Sequence, residues 1–86
     1  MKKNDVIVIP TEIVNRLTYA EAIIYGYLYT SCDKDGKVLT TCRQICETFD
    51  YMFAVQNVNR WLRNLEEKGL IKELSNNYSL REIQVL

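Results

Sequence analysis

Apolar residues recur most regularly in the second half of the chain. Their spacings are three, four and three residues, at Val55, Val58, Leu62 and Leu65. This period predicts an amphipathic helix from Val55 to Glu67, with Trp61 on the flank of the apolar stripe as a core residue rather than a base-stacking platform. Gly69 stands where a left-handed residue commonly ends a helix, so we expect the helix to stop there.

An earlier helix is predicted by its cap. Thr18 is a favourable N-cap, and Glu21 lies three residues further on, which is the spacing of a capping box. Apolar residues at helical spacing follow, at Ala20, Ile23, Ile24, Tyr27 and Leu28. We predict a well-buried helix from Tyr19 to Ser31, preceded by one or two helical turns after Pro10. Its four tyrosines cannot all face inward, so some are expected at the surface or at an interface.

Short segments complete the first half of the chain. Residues 6–9 are β-branched and end at the only proline, which predicts an edge strand or an extended arm. Residues 33–37 favour a turn, and Val38-Leu39 a very short strand. The Asp-x-Asp-Gly string in that turn is not followed by the acidic ligands of a calcium loop, so a calcium site is not expected.

A short helix and an interruption precede the amphipathic helix. Thr40 or Thr41 is expected to cap a helix of about two turns from Thr41 to Phe49, with Ile45 and Cys46 on its apolar face. Residues 50–53 then break the helical pattern.

The end of the chain predicts a β-hairpin. Residues 70–74 favour a strand, Ser75-Asn76-Asn77 a turn, and residues 78–86 the antiparallel partner, whose alternation slips between Leu80 and Ile83 and allows a bulge or a strand break there. The predicted fold class is therefore α+β, with one domain over residues 1–86, an arm or edge strand at 1–9 and a hairpin at 69–86. The element order is that of a winged helix-turn-helix, a three-helix core followed by a β-hairpin wing.

Several motifs resemble a known family. They are Leu17-Thr18 with Ala20-Glu21, Asp35-Gly36-Lys37, Thr41 with Ile45, and then Val58, Arg60, Leu62, Leu65-Glu66 and Gly69-Leu70-Ile71. Over residues 17–71 the chain resembles the winged helix-turn-helix domains of bacterial, plasmid and phage replication initiators and related transcriptional regulators. The resemblance implies sequence-specific binding of double-stranded DNA, by a transcriptional regulator or by the DNA-binding module of a mobile element's replication initiator.

The chain departs from that family between the second and third helices. Such domains usually carry a glycine and a Ser or Thr cap there, whereas this chain has Asp50-Tyr51-Met52-Phe53-Ala54. Either the turn is longer, or Asp50 caps a helix that begins at Tyr51.

Residues suited to DNA lie opposite the apolar stripe of the third helix. The expected base-reading residues are Gln56, Asn57, Asn59, Arg60 and Arg63, because amides pair with adenine and arginine pairs with guanine. Arg43 and Thr41 are expected at phosphates, Asn76 and Asn77 at the wing, and Lys2 and Lys3 in a basic arm. No acidic residue occurs from Tyr51 to Leu65, although a solvated helix face would also be polar.

Charge favours a second hypothesis. Eleven Lys and Arg residues balance eleven Asp and Glu residues, whereas DNA-binding domains usually carry a basic excess. The alternative is a winged helix that binds a protein partner or a second copy of itself through its tyrosine-rich helix or its hairpin.

Other function classes find less support in the composition. The chain lacks histidine, a glycine-rich phosphate loop and a recognisable carboxylate pair, so we expect no enzyme and no cofactor. Cys42 and Cys46 lie four residues apart; they could form a two-thiolate site, but they fit small buried core residues better than a metal site. No signal-peptide pattern or membrane-length apolar run occurs, so we expect a cytoplasmic protein without membrane contact.

Overall fold

A computed structural model describes residues 7–77 and 80–86 of the chain. Its elements are α1 (Thr11–Val14), α2 (Tyr19–Ser31), β1 (Lys37–Thr41), α3 (Cys42–Thr48), α4 (Val55–Glu67), β2 (Ile71–Asn77) and β3 (Leu80–Val85). Over these residues the chain forms a small α+β domain of four helices and a three-stranded antiparallel sheet. None of the helices in this part of the chain has the length and apolar character that crossing a membrane requires.

Local caps define the bounds of the helices. The Thr18 side chain accepts a hydrogen bond from the Glu21 backbone, and Glu21 accepts one from the Thr18 backbone, so the predicted capping box is confirmed. Thr41 caps α3 by accepting from the Gln44 backbone at 2.9 Å. Gly69 has φ +77° just after α4, which is the left-handed conformation predicted for it.

The sheet has the order β1-β3-β2, so its last strand lies in the middle. β1 pairs with β3 from Lys37 opposite Gln84 to Thr41 opposite Leu80, which makes it longer than the two residues predicted. The predicted turn at residues 75–77 is wrong, because these residues continue β2 in register with β3. β2 has a bulge at Leu74, opposite Glu82 and Ile83 of β3. The sequence alternation slips in this part of β3, so the irregularity was predicted at the right place in the sheet but on the wrong strand.

The core lies between α2, α3, α4 and the sheet. Ile24, Leu28, Ile45 and Leu65 are fully buried, as is Tyr25, which the helical spacing alone did not include. Edge-to-face rings extend the core outward in a chain from Tyr27 through Phe49 and Phe53 to Trp61. In the described part of the chain, fourteen buried residues form this core, and they include residues of α2, α3, α4 and all three strands.

The N-terminal segment is an extended arm over its described part, residues 7–9, and not an edge strand. The Val8 backbone donates to the Thr30 hydroxyl at 2.8 Å, which ties the arm to α2. Gly26 permits this approach, because a Cβ there would lie 2.9 Å from Ile9 and 3.1 Å from Ile7. Val6 and the predicted basic arm at Lys2 and Lys3 lie outside the described residues.

Candidate nucleic-acid interface

One face of α4 points away from the rest of the domain. Gln56, Arg60, Arg63 and Glu67 follow each other at spacings of four, three and four residues, and all four are exposed. This spacing puts them in one row along the helix, opposite the buried Val58, Leu62 and Leu65. The row, which we call the outward row, carries two arginines before its single acid at the end of the helix.

Asn59 lies between the outward row and the hairpin. Its Oδ1 accepts a hydrogen bond of 2.6 Å from Nη2 of Arg81 on β3. Arg81 is in turn 3.3 Å from the carboxylate of Glu73 on β2. A cation on the hairpin therefore fixes the orientation of one predicted base-reading amide, while the amide nitrogen keeps its two donors.

A groove of about 200 Å³ separates α4 from the hairpin. It is lined by Asn59, Leu62, Arg63, Glu66, Ile71, Glu73, Asn76, Arg81 and Ile83, and we call it the α4–hairpin groove. Glu66 accepts a hydrogen bond from the Glu73 backbone at 3.1 Å, which connects the helix to the strand. Two arginines and two glutamates balance each other here, so the groove is polar without being strongly positive.

Asn57 lies on the other flank of α4. It is half-buried and shares a helical row with Trp61 and Asn64. Asn64 donates a hydrogen bond to Glu21 on α2. Asn57 is therefore separated from Gln56, Arg60 and Arg63, with which it was grouped from the sequence.

The carboxyl-terminal end of α4 is held by polar contacts. Glu21 is buried on α2. Its carboxylate accepts hydrogen bonds from Lys68 Nζ at 2.6 Å and from the Asn64 amide at 3.1 Å, and it also keeps its role in the capping box. Burial raises the pKa of Glu21, but the bonds from Lys68, Thr18 and Asn64 together outweigh burial and leave that pKa lowered. Arg16 and Lys68 also bind each other's backbone carbonyls, at 3.2 and 3.1 Å.

The amino-terminal end of α4 follows an unusual turn. Asp50 and Tyr51 have φ of +53° and +59°, which non-glycine residues rarely adopt. The Tyr51 backbone donates to the Cys46 carbonyl at 2.7 Å, closing the end of α3. The longer-turn alternative is thus confirmed and the Asp50 cap is wrong, because α4 begins at Val55 after Ala54, which provides no side-chain cap.

Val55 differs from its predicted place in the buried stripe. Val55 is 47% exposed. It is the first residue of α4, and it lies outside the ring contact that joins Phe53 to Trp61. Tyr51 and Met52 are exposed as well, at 62% and 69%. The turn before α4 and the first residue of the helix therefore expose apolar side chains to solvent.

The remaining predicted contacts lie on α3 and the hairpin. Arg43 is exposed in the first turn of α3, and Thr41 uses its oxygen as the cap while its hydroxyl proton stays available to donate. Asn76 joins Asn59 and Arg63 at the α4–hairpin groove. Asn77 ends β2, and the connection at residues 78–79 lies outside the described residues, so the wing contact predicted there stays a prediction.

Cys42 and Cys46 are buried, as expected of core residues. Burial raises the pKa of both thiols, which keeps them protonated and poorly reactive. Asp33 instead closes its turn by accepting from the Asp35 and Lys37 backbones, both at 2.9 Å, and these bonds lower its pKa. Within residues 7–77 and 80–86, no group of three or more potential ligands could hold a metal ion.

Sequence reasoning missed the contact between Arg81 and Asn59. The two residues are 22 positions apart and meet only through the pairing of β3 inside the sheet. Comparison of the chain with family models, with curated proteins and with solved structures gave no match.

Proposed function

We propose that the chain is a winged helix-turn-helix domain that binds double-stranded DNA by placing α4 in the major groove. The element order supports the fold proposal, since a short helix precedes α4 and a two-stranded hairpin follows it. The central position of β3 supports it too, because β1 and the hairpin then form one sheet beside the helices. In helix-turn-helix domains it is the last helix of the motif that reads base edges.

The outward row carries the proposal. Its Gln56, Arg60 and Arg63 are exposed and lie within a stretch from residue 51 to 65 that contains no acid. Arginine pairs with guanine and glutamine with adenine in the major groove, and each good pair discriminates by about 1–3 kcal/mol. A locally positive helix face can thus serve a domain whose total charge is zero, since phosphate attraction depends on the charges near the contact.

Rigid placement of α4 supports the same function. Glu21 and Lys68 fix the carboxyl-terminal end of the helix, and the Phe53 ring packs against Trp61 in the middle of the helix, with ring centroids 5.1 Å apart. Arg81 adds a link from the hairpin to Asn59. Side chains that are already oriented lose less entropy on binding. The resemblance over residues 17–71 extends the proposal to a transcriptional regulator or to the DNA-binding module of a replication initiator.

Enrichment from random duplexes, followed by fluorescence titration at low and higher salt, tests the proposal. We expect a preferred duplex whose affinity falls as salt rises. Arg60→Ala should weaken binding by between about 5- and 150-fold. The matched control is Lys34→Ala, which removes an equal charge from the exposed turn before β1 and should change affinity by less than about twofold. Absence of salt-dependent binding to any duplex would overturn the proposal.

A protein-binding function is the second candidate, and the exposed tyrosines of α2 favour it. Tyr19 is 79% exposed and Tyr29, stacked on the buried Tyr25, is 40% exposed. Tyrosine is enriched in protein interfaces. Sedimentation velocity over a hundredfold concentration range tests for a homodimer, and Tyr19→Ser should abolish any self-association that uses this helix.

A further inference from the structure

Three large apolar side chains meet water at the turn between α3 and α4. They belong to Tyr51, Met52 and Val55, and they are each at least 47% exposed. Isolated apolar residues on a surface are ordinary, but these three lie within five consecutive residues. Their grouping offers apolar side chains that a ligand with apolar features could contact.

The backbone holds these side chains outward. Positive φ at Asp50 and Tyr51 reverses the chain, and the Met52 backbone donates to the Phe49 carbonyl at 3.1 Å. Phe53 packs inward between Phe49 and Trp61, with ring centroids 5.8 and 5.1 Å away. Because Phe53 anchors the turn, its exposed neighbours are presented on a fixed frame.

Charge selects the kind of ligand. Residues 51–65 contain no acid, the exposed Asp50 lies just before them, and Arg60 and Arg63 of the outward row lie on the same helix as Val55. Asn59, one turn after Val55, is oriented by Arg81. An anionic surface that also offers small apolar groups complements this arrangement. The major groove of DNA is such a surface, since phosphates border it and each thymine exposes a methyl group in it.

We propose that Val55 and Met52 contact thymine methyl groups and thereby give the domain a preference for thymine in its binding site. The inference rests on the proposed DNA-binding function and adds the base that this end of α4 selects. Val55 supplies a compact β-branched contact, and Met52 an adaptable one. Thymine is selected by shape and apolar contact alone, without a hydrogen bond from these two residues.

Deoxyuridine tests the proposal, since it differs from thymidine only in lacking the methyl group. Each thymine of the enriched duplex is replaced in turn, and affinity for the full chain is measured by titration. We expect one or two positions at which replacement weakens binding by about fourfold, the value of one buried methyl. Val55→Ala or Met52→Ala should weaken binding to the thymine duplex and remove the effect of deoxyuridine at one of those positions.

Two further variants keep the test specific. Val55→Thr retains the branched shape of valine. It therefore checks that the loss of affinity in Val55→Ala does not come from misfolding at the start of the helix. Leu39→Ala removes a side chain that is 61% exposed on β1, and it should keep the full sensitivity to deoxyuridine.

The outcomes separate the inference from the function on which it rests. A duplex that binds with salt dependence but tolerates deoxyuridine everywhere overturns the thymine contact and leaves DNA binding in place. Failure to bind any duplex overturns both. If Met52→Ala instead converts a sedimenting dimer to a monomer, these side chains bind a second copy of the chain, and the thymine contact is overturned.

Discussion

The two ends of α4 are built in opposite ways. At the carboxyl-terminal end, Lys68 and Asn64 are bonded to the buried Glu21, and Gly69 closes the helix in the left-handed conformation. At the amino-terminal end no side chain caps the helix, the preceding turn contains two strained residues, and Val55 is exposed. One end uses its polar groups within the domain, whereas the other leaves its side chains to solvent.

Under the proposed DNA-binding function, this difference assigns stability to the carboxyl-terminal end of α4 and binding to its amino-terminal end. At the end near Glu21, the polar side chains already form hydrogen bonds within the protein, so few of their donors and acceptors remain for a ligand. Strained backbone and exposed apolar side chains lower stability, and proteins retain such features mainly at functional sites. The comparison predicts that substitutions at the two ends have separable effects on folding and on DNA affinity.

Loss of the Glu21 carboxylate should give the largest effect on folding. Glu21→Ala removes charge-assisted bonds to Lys68 and Asn64 together with half of a capping box, so we expect a loss of about 2–3 kcal/mol in the free energy of unfolding. Urea denaturation monitored by circular dichroism measures it.

Glu67→Ala is the matched control at the same end of α4. Glu67 is exposed in the last turn, and its loss should change stability by less than about 0.5 kcal/mol. Equal losses for the two variants would show that the buried network does not stabilise this end, and the contrast between the ends would fail.

Acid should remove part of the same stabilisation. Because the folded pKa of Glu21 is lowered, its contribution is fully present above the ordinary carboxylate pKa near 4.5 and is lost as pH falls through the folded value. The stability gap between the wild type and Glu21→Gln should therefore narrow from pH 6 to pH 3. A gap that stays constant or widens with acid would mean that the pKa is not lowered by folding.

The sequence predicted best the features that depend on neighbouring residues. The bounds of α2 and α4 follow from the Thr18 capping box, the apolar period and Gly69, all of which act within a few residues of the chain. Burial of Tyr25 was not predictable from one helical face, because α2 contacts the arm at Gly26, β1 through the hydrogen bond between Tyr27 and Thr40, and α4 through Glu21. Periodicity describes a helix with one buried face, and α2 has more than one.

Features that depend on distant residues were not predictable. Ser75, Asn76 and Asn77 favour turns by their local chemistry, but pairing with β3 satisfies their backbone groups and extends β2 through them. The candidate site was found in part: Arg60 and Arg63 follow from helical spacing, whereas the orientation of Asn59 depends on Arg81 from the sheet. Positive φ at Asp50 and Tyr51 had no signal, since neither residue is a glycine.

The smallest expected effect concerns the strained turn. Tyr51→Gly places the residue that best tolerates positive φ at +59°, which relieves about 1–2 kcal/mol of backbone strain. The greater freedom of glycine in the unfolded chain offsets about 0.5–1 kcal/mol of that gain. We expect a net stabilisation of about 0.5 kcal/mol, seen as a rise in Tm of roughly 2–4 °C.

Met52→Gly is the control, because Met52 is equally exposed and has no positive φ, so only the cost of glycine applies and Tm should fall. A fall in Tm for both variants would mean that the turn stores no strain, and that the amino-terminal end of α4 sacrifices no backbone stability for its exposed side chains.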